Sequence, residues 1–382
     1  MIAAAIHVVG ETRSFDRAAQ TLKHVLGHGP SAKTLERLSH QVGRELAAQN
    51  EATMLEKEVV VAEVAVVSCD GGRIRTRVAG AGPGVHGEAW RETKNSSFER
   101  MSAPAKAEND PCLTLPDTFR RVAHVAKIAE KAAFSGVSQE EAHEDTSEAS
   151  PSVYEGPQRI LRTCVSSMAC SDDFGEQMKR EALRRRFPEA VRRVFIGDGL
   201  PWNWSIWQAH FSNFTPILDF IHAIQYLYAA AEAWESDGPT CWQRYLALAE
   251  AVWQGRVDEV VAAIRSELAN RGVAEDADVA EGNPLRPLFD AARYFTNNRK
   301  RMDYPSYRQA GLPITSSPME SLIKQINHRV KGTEMFWLQP AGAEAILQIR
   351  AASLSEDGRL QDYLKRRPGH PFTRRPPLAL AA

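Results

Sequence analysis

Residues 58–78 read EVVVAEVAVVSCDGGRIRTRV, and the fold class turns on how this stretch is parsed. The valine-rich run up to Cys69 is apolar and β-branched with no helical period, so it reads as a buried strand. The alternation in RIRTRV reads as a second strand. Asp70 with Gly71 and Gly72 has the chemistry of a tight turn between them. The stretch is therefore expected to be a β-hairpin, with Asp70 at the end of its first strand. Taken singly, an Asp-Gly turn needs no function to explain it.

Working outward, residues 191–207, VRRVFIGDGLPWNWSIW, give another apolar strand that ends at an aspartate, Asp198, between Gly197 and Gly199. Residues 214–234, FTPILDFIHAIQYLYAAAEAW, read as a strand passing into a helix, and 159–169, RILRTCVSSMA, as a further strand before a charged helix at 176–187. Helical patterning also covers 117–135, all of 230–300, and the region from GLPITSSP (311–318) to about 354. Strands interspersed with helices in this way predict an α/β class.

At the front, residues 14–49 predict two helices joined by GHGP, with Ser31 after Pro30 as N-cap of the second. Leu35, Leu38, Val42 and Leu46 form one stripe of that helix, and Lys33, Arg37, His40 and Arg44 another. This is the layout of a helix-turn-helix with a basic, groove-facing second helix, and equally of a helical hairpin with a solvated face. The acidic, Ser-rich run at 138–152 reads as an exposed linker, and KRRPGHPFTRRPP (365–377) as a basic tail that does not pack.

A chain of 382 residues suggests two to three domains, and 43% apolar with 25% charged residues is an ordinary soluble composition. The net charge of −1 does not advertise nucleic-acid binding, so any such surface has to come from local clusters. Five scattered cysteines (Cys69, Cys112, Cys164, Cys170, Cys241), with no CxxC pair, argue against a zinc ribbon or a disulfide framework and fit a reducing cytoplasm. The N-terminal residues make a poor secretion signal, and no apolar run approaches the roughly 20 residues of a membrane span. Neither a phosphate-loop motif nor a G-x-S-x-G elbow occurs, which sets aside nucleotide hydrolysis and serine-hydrolase chemistry.

In TSSPMESLIKQINHRVKG (315–332) one acid, Glu320, heads a helical face that carries Lys324, Asn327, His328 and Lys331. It reads as a surface ion pair or as a metal ligand beside an anion-gripping ridge. Carboxylates at the ends of neighbouring strands, with a third from a later helix, are what a two-metal phosphoryl-transfer site needs. Two Mg²⁺ ions about 3.5–4 Å apart require bridging and flanking oxygens. His222 reads as a structural histidine or as one that orients such a site. Trp202, Trp204 and Trp207 read as core, or as a platform for an unpaired base. The clusters KREALRRRF (179–187) and FTNNRKRMDYPSYR (295–308) are solvated faces or phosphate grips.

Four segments in order resemble the core of bacterial insertion-sequence transposases of the DDE class, and more narrowly the group allied to the Mutator superfamily. They are VVSCDGGRIRTR (66–77), FIGDGLPWNWSIW (195–207), ILDFIHAIQYL (217–227), and PMESLIKQINHRVKGTEMFW (318–337) followed by AGAEAILQIRA (341–351). The resemblance covers about residues 60–350. It implies a ribonuclease H-like mixed-sheet catalytic core over 58–228 and 301–354, a helical insertion over 229–300, a helix-turn-helix-like segment over 1–50 and a basic tail over 355–382.

By the resemblance, Asp70, Asp198 and Glu320 are the catalytic, metal-binding triad, and Asp219 with His222 is the family's C/D-x-x-H signature. Two Mg²⁺ ions, replaceable by Mn²⁺, are the implied cofactors. The implied reaction is hydrolysis at the element's end followed by attack of the freed 3′-hydroxyl on target DNA. The implied partners are double-stranded terminal repeats and target DNA, with the protein acting as a dimer or larger assembly. Lys33, Arg37, Arg44, Lys324, Arg329 and Lys331 are the expected DNA contacts. The front end is shorter than in relatives with further DNA-binding parts, so a truncated or domesticated DNA-binding protein that no longer transposes is the alternative. A metal-dependent nuclease without strand transfer is a third reading.

Overall fold

The valine-rich run and the RIRT segment form one strand, not two. In the computed structural model, which describes residues 2–52, 59–77, 89–102, 104–133, 156–274, 277, 279–331 and 336–367, β1 (Val64–Thr76) runs straight through the Asp-Gly-Gly. Asp70, Gly71 and Gly72 pair with Asn95, Lys94 and Thr93 of β2 (Ala89–Ser102) in an unbroken antiparallel ladder. Neither glycine has a positive φ, so neither makes a turn. Gly72 instead provides room: a Cβ there would lie 2.7 Å from Thr93 Oγ1. Asp70 therefore sits within a strand and projects from the sheet, where the sequence suggested a strand end.

Three more strands complete a five-stranded mixed sheet: β3 (Gln158–Ser167), β4 (Arg192–Gly197) and β5 (Thr215–Leu218). Its order is β3-β2-β1-β4-β5. β2 is antiparallel to both β1 and β3, whereas β4 is parallel to β1 and β5. Val64, Val66 and Ser68 alternate onto one face beside Arg192, Val194 and Ile196. Two residues further along, that face carries Asp70 on β1 and Asp198 just past β4.

The helices, in chain order, are α1 (Ile2–Glu11), α2 (Phe15–Leu26), α3 (Ala32–Glu51), α4 (Val122–Ala133), α5 (Ser171–Arg184), α6 (Pro201–His210) and α7 (Phe220–Trp234). They continue with α8 (Gly238–Trp253), α9 (Val257–Asn270), α10 (Arg286–Asn298), α11 (Tyr304–Gln309), α12 (Ser317–Val330), α13 (Pro340–Leu354) and α14 (Arg359–Arg366). On the Asp70 face, Val66, Val194, Ile196 and Ile217 join the core of α7 to α10. On the opposite face Ala65, Val67, Cys69 and Phe195 pack against Phe174 and Met178 of α5 and Ile206 of α6. Residues 230–300 carry helices and no strand among the described residues, although the described part of 271–285 is irregular where a helical period was read. No helix among those residues is long and apolar enough to cross a membrane.

A third core joins the two ends of the chain. Ser31 caps α3 by accepting from Thr34 N at 3.2 Å. The stripe Leu35, Leu38, Val42 and Leu46 is buried with Met319, Leu322 and Ile326 of α12, with Ile346, Leu347 and Ile349 of α13, and with Ile74 of β1. Helices α3 and α13 meet at Gly43, where a Cβ would fall 2.4 Å from Ala345 O. Residues 2–50 thus pack into the same body as helices α12 and α13.

The described part of the expected tail packs in part, with Lys365 and Arg366 exposed. Leu360 is buried, Arg359 bonds Glu181 at 2.6 Å, and Arg367 bonds Glu45 at 2.6 Å, because two acids on α5 and α3 need partners. The Pro-rich remainder, 368–382, and the acidic run, 138–152, lie outside the described residues.

Candidate active site

Asp70 and Asp198 are brought together by adjacent parallel strands, which run about 4.8 Å apart. Both side chains are half-buried, and the charge of Asp198 is felt at Asp70. Burial and the facing charge of Asp198 push Asp70 up to about 7, while His222 pulls the other way. Burial raises Asp198 as well, again opposed by His222. Each acid has one oxygen engaged. Asp70 Oδ1 accepts from Gly71 N at 2.5 Å. Asp198 Oδ1 accepts from Leu200 N at 2.9 Å and from the Asn203 amide. Neither Oδ2 has a hydrogen-bond donor among the described residues. Two half-buried, like-charged carboxylates with free oxygens are the hard donor set that a divalent cation would satisfy.

Asp219 is a hub. Fully buried at the β5–α7 junction, it caps α7 by accepting from Ile221 N at 3.1 Å. It also holds His222 Nδ1 at 2.9 Å. Across the fold, it accepts from the backbone N of Ser316 at 3.0 Å and from the Ser316 hydroxyl. Burial opposes its charge, but His222 and Ser316 keep the Asp219 carboxyl below its ordinary range. His222 is the counter-ion of the cluster. Burial disfavours its cation, yet the bond and charge of Asp219, with Asp198 and Asp70 behind, raise it to about 9. The ring is an imidazolium at neutral pH, with Nε2 left as its other donor.

Ser316 is the residue that caps α12, so Asp219 fixes the start of the helix that carries Glu320 in its first turn. Glu320 itself is half-exposed, has no ion-pair partner among the described residues, and is not among the principal charges acting on Asp70 or Asp198. Of its two readings, the surface ion pair with the following lysines is not formed among those residues. Nor do three acidic, histidine or cysteine side chains among them close around a point that could hold a metal ion. The structure thus assembles Asp70, Asp198, Asp219 and His222, and links Glu320 to them through α12.

The basic candidates divide. Lys33, Arg37 and Arg44 lie exposed on α3, away from the stripe that meets α13, and Lys33 pairs with Glu36 at 2.7 Å. Lys324 is exposed and Lys331 half-buried, its pKa lowered by that burial. Arg329 cannot be a DNA contact. Its side chain is buried, donates to Val9 O at 2.9 Å and Arg13 O at 3.3 Å, and lies over the rings of Phe15 and Trp337. It is a strut that ties α1 to α12, and burial lowers its pKa to about 10.

The tryptophans belong to the core side of their two readings. Trp207 Nε1 donates to Phe214 O at 2.9 Å, Trp204 packs on Phe195, and Trp202 meets Phe174. Three site residues escaped sequence reasoning. Asn203 and Ser316 hold the acids as described. Tyr294 of α10 donates its hydroxyl to Asp198 O at 2.7 Å from 96 residues away. Asn203, five residues after Asp198 in a helix-starting segment, offered a local signal; Tyr294 offered none. No protein-family model matches the chain, and a search of curated proteins finds none similar to it.

Proposed function

We propose that the protein is a DDE-class transposase of an insertion sequence, with a ribonuclease H-like core interrupted by the helices at 229–300. The five-stranded mixed sheet is compatible with that core. The observation that carries the reading is the half-buried pair Asp70–Asp198, each with a free oxygen, presented by adjacent parallel strands. Two Mg²⁺ ions, or Mn²⁺ in their place, would be held by Asp70, Asp198 and Glu320, and would supply activation of the attacking oxygen and stabilisation of the leaving one. Asp219 keeps His222 charged and oriented, so that Nε2 offers a proton-bearing donor to a phosphate oxygen. Lys33, Arg37, Arg44, Lys324 and Lys331 are proposed to grip the DNA backbone, and the protein to act as a homodimer or larger assembly on paired ends in the cytoplasm.

The test is strand cleavage and joining on DNA that carries the terminal repeats, with Mg²⁺ or Mn²⁺. Asp70→Asn, Asp198→Asn and Glu320→Ala should each lower cleavage on the order of 100-fold or more. Cleavage that survives Asp198→Asn or Glu320→Ala would overturn the assignment. Binding should weaken steeply as salt rises. One observation favours a second reading, a DNA-binding protein that no longer cuts: Glu320 is not among the principal charges that act on the acid pair. Salt-sensitive binding without cleavage would select it.

A further inference from the structure

The turn that presents Asp198 is held from behind by a residue of the helical region. Tyr294 is buried, donates its hydroxyl to the carbonyl of Asp198 at 2.7 Å, and lies close against the next residue. At Gly199, φ is 99°, and a Cβ would lie 2.5 Å from Tyr294 Cε2. The same ring stacks on Tyr226 of α7, centroids 3.8 Å apart and planes 15° from parallel. Asp198 is thus gripped twice. Leu200 N and Asn203 hold its side-chain Oδ1, and Tyr294 holds its backbone oxygen.

A left-handed glycine frees the backbone after Asp198 to take many conformations, so something outside the loop has to choose one. The Tyr226–Tyr294 stack makes that choice. We propose that Tyr294 is a positioning residue for Asp198, through which the α7–α10 helices determine how well the acid pair holds a divalent cation. The helical region would then be part of the catalytic centre's construction rather than a separate appendage. This rests on the two-carboxylate reading above, and the experiment separates the two.

Mn²⁺ binding to the full chain is measured by calorimetry without DNA, for wild type, Asp198→Asn, Tyr294→Phe and Tyr245→Phe. Tyr294→Phe keeps the ring and its stacking and removes only the bond to Asp198. Tyr245→Phe is the matched control, since it loses a similar buried bond, to Phe119 O at 3.0 Å, away from the acids. The expected result is a Mn²⁺ dissociation constant about fivefold weaker in Tyr294→Phe and unchanged in Tyr245→Phe, with similar melting temperatures. In the cleavage assay, the Mn²⁺ concentration for half-maximal rate should rise by the same factor, with the rate at saturating metal nearly restored. Unchanged Mn²⁺ affinity in Tyr294→Phe, alongside Asp198-dependent binding in wild type, overturns the positioning role alone. Wild type without Asp198-dependent binding overturns it together with the carboxylate site.

Discussion

Asp70 and Asp198 occupy neighbouring positions on one buried face, and two like charges there work against the fold while no cation lies between them. With its pKa raised to about 7, the Asp70 carboxyl keeps a proton in the folded chain that an unfolded chain releases near about 4. Folded protein therefore binds more protons over that interval, so the stability linked to Asp70 falls as pH rises from about 4 through 7 and is fully lost above it. Asp70→Asn should raise the unfolding free energy at pH 8 in the absence of divalent ions by about 1–3 kcal/mol, read from the urea midpoint, and leave it nearly unchanged at pH 4. The same substitution should abolish cleavage. Equal midpoints at pH 8 would show that the pair is not repulsive.

The contact between α3 and α13 depends on the absence of a side chain. Gly43→Ala would put a methyl group 2.4 Å from a backbone oxygen, and backbone cannot swing aside as a flexible side chain can, so the helices must part. A loss of about 2–3 kcal/mol in unfolding free energy is expected, read from urea denaturation, although alanine favours an isolated helix. A variant as stable as wild type would mean that the two helices move apart freely. Gly43 also marks how far sequence could be read at this scale. The apolar stripe of α3 announced a buried face, because side-chain period is a local property. Nothing local said that α13, some 300 residues on, would cover it. β1 was legible as a strand, but its Asp-Gly-Gly was read as a turn, since the same residues serve turns and close strand approach. β2 gave no signal, because Thr93, Asn95, Ser96 and Ser97 are polar yet buried within the sheet. Asp70, Asp198, Asp219 and His222 could be found because each sits beside a strand; Tyr294 and Ser316 reach the site only through tertiary packing.

Across the whole molecule, a buried ion cluster joins the sheet layer to the last helix. Glu181 of α5 bonds Arg359 at 2.6 Å, Arg184 at 2.7 Å and the Thr163 hydroxyl at 2.6 Å. Burial alone would raise its carboxyl, but Arg359 and Arg184 hold it at about 2. A depressed acid stabilises the fold above its unfolded value of 4.5, so this contribution should drain away as pH falls from 4.5 towards 2. Arg359→Met should cost about 3–5 kcal/mol at pH 7 by stranding the Glu181 charge, measured by urea unfolding; an unchanged midpoint would show that the residues beyond α13 are dispensable. That helix belongs to the body in which Arg329 grips Val9 O across 320 residues of chain. On a ribosome adding roughly 5–20 residues per second, the N-terminal helices must wait about a quarter of a minute to a minute for that partner. Their apolar faces are meanwhile open to chaperones, proteases and neighbouring nascent chains, so ribosome stalling late in the gene would leave a chain with all five sheet strands made and its first helices uncovered.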